Sequence, residues 1–302
     1  MVRGVFVGIA TVDLVQRVER PPARNEKLTA LGQEIAAGGP AANAAVTFAR
    51  LGGDATLVTA LGGHPLARYA AEELASHGVT VLDAAPDVTL PPPVSSILIT
   101  EATGDRQVVS VNTGEAWAAR PATPPAEWPE ADVVLVDGHH PGLALSAAES
   151  ATAPVVLDGG SWKPVLSELL PLVEYAVCSA DFRHPRGTAL LDVGVPWVAV
   201  THGPAPVQWW SRPRRSDQDR PRRSDQDRPR DASGEIPVPS VAVRDTLGAG
   251  DAFHGAFVYA LVNGLDFPAA LAFGAAVASR RCATAGPRAW LADPSLNDLA
   301  RL

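Results

Sequence analysis

The sequence predicts an α/β fold with a mostly parallel central sheet and helices on both of its faces. Short runs rich in β-branched residues alternate with segments long enough to form helices, which is the pattern of such folds. We predict strands at residues 5–9, 55–60, 133–136, 155–157, 175–178 and 197–201. Ligands bind beyond the carboxyl ends of parallel strands. Four polar residues end or follow these runs: Asp13, Asp137, Asp158 and Thr201.

Helices and a hairpin are predicted from turn residues. Residues 40–51 have apolar positions at helical spacing, with Pro40 suited to the first turn and two glycines after the last. Residues 66–77 form a second helical segment, which ends before Gly78. Residues 94–112 read as a β-hairpin turning at 103–105, and residues 14–37 as exposed strands or loops.

Composition narrows the class of protein. The 302 residues include 25 Lys and Arg against 33 Asp and Glu, a net charge of −8, which argues against a general nucleic-acid binder. Cys178 and Cys282 are far apart, so a disulfide scaffold is not expected and a reducing cytoplasm is the natural setting. No apolar run is long enough for a membrane span.

One segment differs from the rest of the chain. The sequence RPRRSDQD at 212–219 is repeated at 220–227 and followed by RPRD. The segment 212–231 is therefore interpreted as a duplicated, polar, low-complexity loop insert. A basic flap over an anionic ligand is the alternative, weakened because the aspartates nearly balance the arginines.

The stretch DTLGAGDAF at 245–253 is the strongest chemical motif. Its glycines allow a ligand to approach the backbone, and the helical pattern that follows places Asp251 near a helix N-terminus, where anions bind. From spacing alone, Asp251 is either a helix cap or a functional base. The flanking glycines favour the base, and a base beside an anion site suits phosphoryl transfer. The chain lacks both GxxxxGK[ST] and a GxGxxG with its dinucleotide-type acid.

Two motifs resemble those of the ribokinase/PfkB family of carbohydrate kinases. DTLGAGDAF is similar to the family's C-terminal motif, and GGPAANAAVTFARLGG at 38–53 to its N-terminal one. Within this family, the sequence most resembles bacterial sugar kinases of the sulfofructose kinase and ketohexokinase type. The resemblance implies one ribokinase-like domain over residues 1–302. It also implies a small β-sheet lid built from about 14–37 and 94–112.

The resemblance also implies a role for each matching residue. Asp251 would be the catalytic base, and the backbone of Gly248, Ala249 and Gly250 would form the anion hole. The sugar contacts would be Asp13, Gly39 and Asn43, with Arg106 and Asn112 as candidates from the lid. The nucleotide contacts would be Thr201, Gly203, Thr246 and Gly248. Asp245 and the backbone of Leu247 would hold a monovalent cation, K+, in addition to the cofactors ATP and Mg2+.

The chain departs from the family pattern around the nucleotide. Where many members have Asn-x-x-Glu, this chain has Ser179-Ala180-Asp181-Phe182. A second glycine of the nucleotide loop is replaced by Ala205, and an asparagine near the adenine by Ala275. We expect these changes to affect which nucleotide binds and how tightly it binds.

We therefore predict a cytoplasmic, ATP-dependent kinase that phosphorylates a primary hydroxyl of a small sugar, a ketose or related carbohydrate. Its partners would be sugar and ATP, with no nucleic acid and no membrane, and it would form a homodimer through the lid. Two alternatives stay open: a nucleoside kinase of the same fold, and a catalytically silent sugar-binding regulator.

Overall fold

The computed structural model describes residues 1–111, 122–187, 189–212 and 231–299. Asn112 and most of the insert, residues 213–230, lie outside the described residues. The strands are β1 (Arg3–Val7), β2 (Thr11–Val18), β3 (Gly32–Gly38), β4 (Asp54–Thr59), β5 (Val79–Asp83), β6 (Val94–Thr100), β7 (Arg106–Val109), β8 (Val133–Val136), β9 (Val155–Gly159), β10 (Tyr175–Ser179), β11 (Trp197–His202), β12 (Ala205–Ser211) and β13 (Ala232–Ile236). The α-helices are α1 (Pro40–Arg50), α2 (Pro65–Ser76), α3 (Pro141–Ser150), α4 (Leu166–Leu169), α5 (Ala249–Val262), α6 (Phe267–Cys282) and α7 (Ser295–Leu299).

The strands form a large sheet and a small sheet. The large sheet has the order β13-β12-β11-β10-β9-β8-β1-β4-β5, and every neighbouring pair from β11 to β5 is parallel. At its other edge, β12 and β13 pair antiparallel. The small sheet has the order β3-β2-β6-β7, with a parallel pair in the middle and an antiparallel pair on each side. The predicted α/β fold with a mostly parallel sheet is confirmed.

Both faces of the large sheet are buried, because side chains alternate along each strand. On β1, Phe6 packs into one apolar cluster with residues of α1, α2, α5 and α6. Its neighbours Val5 and Val7 pack into a second cluster on the other face, with residues of α3 and α4. Among the described residues, no helix combines the length and the apolar character needed to cross a bilayer.

The predicted carboxyl end of the first strand is wrong, and the predicted position of Asp13 at that end is therefore wrong as well. β1 ends at Val7, and Asp13 lies inside β2 of the small sheet rather than at the end of a central strand. At Gly8 a Cβ would lie 2.1 Å from the carboxyl carbon of Asp137, so the chain leaves the sheet at a crowded glycine. Apolar patterning does not reveal such a change of sheet. The predicted 94–112 hairpin is confirmed as β6 and β7.

The insert begins and ends beside the amino end of β11, whereas the predicted site lies at the carboxyl ends of the parallel strands. Ser211, just before it, pairs with Trp197 at the amino end of β11 and with Ala232 just after it. The side chains of Arg212 and Asp231 form an ion pair with Nε and Oδ2 3.3 Å apart. The ends of the insert therefore lie away from the carboxyl ends of the parallel strands, where ligands bind.

Helices α1 and α5 pack unusually close together. A Cβ built on Gly255 of α5 would lie 2.3 Å from the carbonyl oxygen of Ala44 and 2.7 Å from the Cβ of Thr47, both on α1. Only glycine leaves room for this approach, which holds the amino ends of the two helices beside each other.

The close packing predicts that adding a methyl group at Gly255 destabilises the fold, whereas adding one at an uncrowded helical glycine does not. Gly255→Ala should lower the free energy of unfolding by about 1–3 kcal/mol, because the backbone of α1 must move. Gly142→Ala, in α3, is the matched control, since its Cβ would meet nothing within 4 Å. The control should leave the value within about 0.5 kcal/mol, or raise it slightly. Urea unfolding of both variants measures this, and equal values would contradict the packing argument.

Candidate active site

Asp251 occupies the third position of helix α5, and it is not the capping residue. The N-cap is Gly248, whose φ of 71° is left-handed and therefore suits glycine. The Asp251 carboxylate instead faces the amino end of α1, where its Oδ2 accepts a hydrogen bond from Nδ2 of Asn43 at 2.7 Å. Of the two alternatives for Asp251, the geometry removes the cap and leaves a carboxylate available for chemistry.

The amino end of α5 has the form of an anion site. The N–H of Ala249 reaches the carbonyl oxygen of Thr246 only at 3.3 Å, and the first turn of any helix leaves its N–H groups without acceptors within the helix. A Cβ on Gly250 would meet nothing within 4 Å, so this backbone is open to an incoming group. The partial positive charge of the helix terminus adds to the attraction for an anion.

Arg288 fixes the orientation of the Asn43 amide. Its Nη1 donates to Oδ1 of Asn43 at 2.9 Å. A guanidinium only donates hydrogen bonds, so the amide oxygen must face Arg288 and the amide nitrogen must face Asp251. The sequence analysis did not identify Arg288, because nothing in its local sequence distinguishes it from a surface arginine.

Arg288 is itself held by partners on two other elements. Its Nε donates to Oε1 of Glu73 on α2 at 2.8 Å, and its Nη2 donates to the carbonyl oxygen of Ala37 on β3 at 2.8 Å. Burial by itself would raise the pKa of Glu73, but hydrogen bonds from His77 and Arg288 outweigh burial and lower the pKa to about 2. A chain of polar contacts thus runs from Glu73 through Arg288 and Asn43 to Asp251.

Asp13 reaches the same cleft from the small sheet. Its Oδ1 accepts a hydrogen bond from Oγ1 of Thr11 at 2.7 Å. Burial raises the pKa of Asp13, and the nearby Asp251 raises it further, against hydrogen bonds from Thr11 and Ser95. The cleft lining includes Asp13, Asn43, Leu247, Gly248, Arg288 and Trp290. The structure therefore brings together the predicted base and two of the predicted sugar contacts, Asp13 and Asn43.

Gly39 and Arg106, the other described candidates for sugar contacts, each lie against another part of the chain. A Cβ on Gly39 would lie 2.2 Å from the carbonyl oxygen of Ile9, so the close approach that requires glycine is made by the chain itself. Nη1 of Arg106 donates to the carbonyl oxygen of Thr246 at 2.9 Å. Arg106 thus joins the β6–β7 turn to the loop before the anion site. Asn112 lies outside the described residues.

Two of the predicted nucleotide residues, Thr201 and Gly203, lie at the carboxyl end of β11. Thr201 is paired with Ser179 in the sheet, and Gly203 forms the turn to β12 with a φ of 62°. Thr246 lies in the loop before α5, where its Oγ1 donates to the carbonyl oxygen of Gly104 at 3.3 Å. Thr201 and Gly203 therefore lie together at the end of β11, whereas Thr246 lies against the β6–β7 turn.

A buried histidine lies directly below the anion site. In His254, Nδ1 is 2.8 Å from the carbonyl oxygen of Gly250, and Nε2 is 3.1 Å from that of Val177. Carbonyl oxygens only accept hydrogen bonds, so a ring nitrogen that carries a proton donates to the carbonyl it faces. Asp158 lies 3.4 Å away; burial raises its pKa, and the charge of His254 opposes that rise. The motif GDAFH contained this residue, but its partners are distant in sequence.

Comparisons with known proteins find relatives over most of the chain. The family model described as "pfkB family carbohydrate kinase" matches residues 2–293. The chain is 29% identical to a ribokinase of Arabidopsis thaliana, covering 91% of this chain and 74% of that protein. A solved structure from Agrobacterium tumefaciens, provisionally assigned as a ribokinase, has a TM-score of 0.76 at 26% identity and covers 99% and 96% of the two chains. The solved Arabidopsis thaliana ribokinase with ribose and ATP has a TM-score of 0.70 at 23% identity, covering 100% of both chains.

These findings identify the class of protein. The fold, the motif at the amino end of α5 and the match over nearly the whole chain define a phosphotransferase that acts on carbohydrate. The chain belongs to the pfkB family of carbohydrate kinases. It is a sugar kinase, and its similarity to ribokinases covers most of its length.

The contacts of Arg288 predict a kinetic effect at a distance from the reacting atoms. Arg288→Met should lower kcat by about tenfold to a hundredfold, because the Asn43 amide is no longer held and Asp251 loses its position. Arg68→Met, an exposed arginine of α2, is the matched control. Steady-state kinetics with a melting curve separate the effects. A destabilised variant with unchanged kcat would assign Arg288 to stability alone.

The raised pKa of Asp13 predicts a pH-dependent cost in stability. Between the ordinary and the raised pKa the folded state binds more protons, so the free energy of unfolding falls as pH rises. Asp13→Asn should therefore be more stable than the wild type at pH 7, and the two should converge below about pH 4. Urea unfolding across pH measures the difference, with Asp54→Asn as the exposed control. A difference that is the same at both pH values would refute the expectation.

Proposed function

We propose that the protein transfers the γ-phosphoryl group of ATP to a primary hydroxyl of a small sugar, a ketose or a related carbohydrate. One observation carries the proposal: the Asp251 carboxylate lies in the first turn of α5, oriented by Asn43 and next to an open helix N-terminus. A proton acceptor and an anion site are then in reach of the same substrate atom.

The proposed reaction uses these groups in one in-line step. Asp251 accepts the proton of the sugar hydroxyl while that oxygen forms its bond to the γ-phosphorus, and the bond from phosphorus to the ADP oxygen breaks. Backbone N–H groups of residues 248–250 stabilise the charge of the transferring group. Asp13 and Asn43 hold neighbouring hydroxyls, since a carboxylate accepts hydrogen bonds and an amide both accepts and donates.

ATP fits the edge formed by the ends of β10 and β11. The Arabidopsis thaliana ribokinase was solved with ribose and ATP, which supports the same donor here. In this proposal Thr201, Gly203, Thr246 and Gly248 contact the nucleotide. Ala205 lies where β12 begins and Ala275 is buried on α6, so neither side chain offers a hydrogen bond to the base.

Mg2+ has a suitable ligand among the described residues. It usually binds one or two carboxylates together with substrate phosphates and water. Asp181 is exposed two residues after the end of β10. Its carboxylate would hold the ion together with the phosphates of ATP, and the ion would neutralise phosphate charge when bound.

The small sheet is proposed as the lid, and its outer edge as a dimer contact. Strand β7 is an edge strand, with Val109 75% exposed and Val108 48% exposed, and Val111 just beyond it 54% exposed. An apolar edge with unpaired backbone groups favours pairing with a second copy. Closure of this sheet over the sugar would exclude water, the competing phosphoryl acceptor.

Two other functions compete with a sugar kinase of this kind. A nucleoside kinase would need a flat apolar platform for the base, but residues 11–38 and 94–111 contain no aromatic side chain. A silent sugar-binding regulator is suggested by the loss of Asn-x-x-Glu at Ser179 and Phe182. A binding protein has no need of the contacts that orient Asp251, so those contacts favour catalysis.

The test is an ADP-release assay with ATP and Mg2+ over ketoses, aldoses, sulfosugars and nucleosides. We expect turnover with one class of sugar, and Asp251→Asn should lower kcat by about a thousandfold because the proton acceptor is lost. Asp54→Asn, an exposed carboxylate at the start of β4, is the matched control and should retain full activity.

Other results would change the proposal in defined ways. Activity that survives Asp251→Asn would remove this residue from the mechanism. Turnover with nucleosides alone would select the nucleoside kinase. A sugar that raises the melting temperature, without any turnover and without a shift from ATP, would select the regulator.

A further inference from the structure

The predicted site for a monovalent cation already contains a positive charge from the chain. Asp245 is fully buried, with 0% exposure, and the side chain of Arg281 is 2% exposed. Nη2 of Arg281 lies 3.4 Å from Oδ2 of Asp245. Arg281 belongs to the last turn of α6, so the pair joins this helix to the loop before the anion site.

Both oxygens of Asp245 are also used by the backbone. Oδ1 accepts a hydrogen bond from the N–H of Leu247 at 2.8 Å, and Oδ2 accepts one from the N–H of Gly286 at 3.1 Å. The carboxylate therefore ties the 245–247 loop to the 286 turn. Each oxygen keeps a further lone pair, and the positive charge beside Oδ2 is that of Arg281.

Three nearby carbonyl oxygens have donors of their own. The carbonyl of Cys282 accepts from the N–H groups of Arg244 at 2.8 Å and Asp245 at 3.2 Å. The carbonyl of Thr284 accepts from Nη1 of Arg281 at 3.0 Å, and that of Thr246 from Nη1 of Arg106 at 2.9 Å. K+ prefers a set of several free oxygens, and with Arg281 in place Asp245 and these three carbonyls do not supply such a set.

We propose that Arg281 is the built-in counter-cation of this loop, and that the kinase therefore works without K+ or any other monovalent cation. A buried carboxylate must be neutralised, and a guanidinium does so permanently. A second cation beside Asp245 would be repelled by Arg281 at close range in a site of low dielectric constant. The inference rests on the proposed function, because the loop from Asp245 leads directly to the anion site at Gly248.

The wild-type protein provides the first test. ADP release and melting temperature are measured at equal ionic strength in the chlorides of potassium, sodium and tetramethylammonium. We expect the same rate and the same melting temperature in all three salts. A rate in potassium at least about tenfold above that in tetramethylammonium, or a melting temperature raised by potassium, would overturn the proposal.

Removing the charge of Arg281 provides the second test. Arg281→Met keeps an extended apolar stem but leaves Asp245 buried without a counter-charge. We expect potassium, and not tetramethylammonium, to raise the melting temperature of this variant and to restore its activity. Arg281→Lys should remain independent of cation, and Arg280→Met, at the exposed neighbouring position, is the matched control. A folded Arg281→Met protein that responds to no cation would contradict the proposal.

Failure of the two proposals can be distinguished. If no sugar is phosphorylated under any condition, the proposed function fails, while the melting curves still decide whether Arg281 takes the place of a cation. If Arg281→Met does not fold, the wild-type salt series alone decides. Turnover that requires potassium would leave the sugar kinase intact and remove only the role of Arg281.

Discussion

The hydrogen bond between Asn43 and Asp251 is the contact on which the site depends. The two residues are 208 positions apart and belong to the first turns of α1 and α5, which must lie side by side for the bond to form. Gly255 permits that approach, because any larger side chain would collide with the backbone of α1. The position of the Asp251 carboxylate thus depends on the packing of two helices, and the site is only as well ordered as that helix pair.

Three buried carboxylates each have a basic residue of the chain beside them. Asp137 is 3.0 Å from Nδ1 of His139, Asp158 is 3.4 Å from Nδ1 of His254, and Asp245 is 3.4 Å from Nη2 of Arg281. Burial alone would raise the pKa of Asp137, but His139 and Lys163 outweigh burial and lower the pKa to about 2. Such pairs neutralise charge that would otherwise be costly to bury.

The local sequence pattern predicted the helices and strands well, but it predicted poorly which of them lie next to each other in the fold. The helices at 40–51 and 66–77 and the hairpin at 94–112 follow from spacing and turn residues, and all three are found. Asp13 was misplaced because the run from Val5 crosses from one sheet to the other without a break in its apolar pattern. The cap alternative for Asp251 could not be decided either, because the identity of the capping residue depends on backbone angles that spacing does not report.

The sequence by itself determined the fold class and the family, and it singled out Asp251 as a candidate base, because glycine positions and alternating apolar runs are local properties of the chain. It could not identify Arg288, His254 or Arg281 as parts of the site. Each of these side chains takes its role from partners on other elements, such as Glu73 and Asn43 for Arg288. Only the tertiary structure decides such roles, because an arginine on a helix has the same local sequence whether its guanidinium faces water or a buried carboxylate.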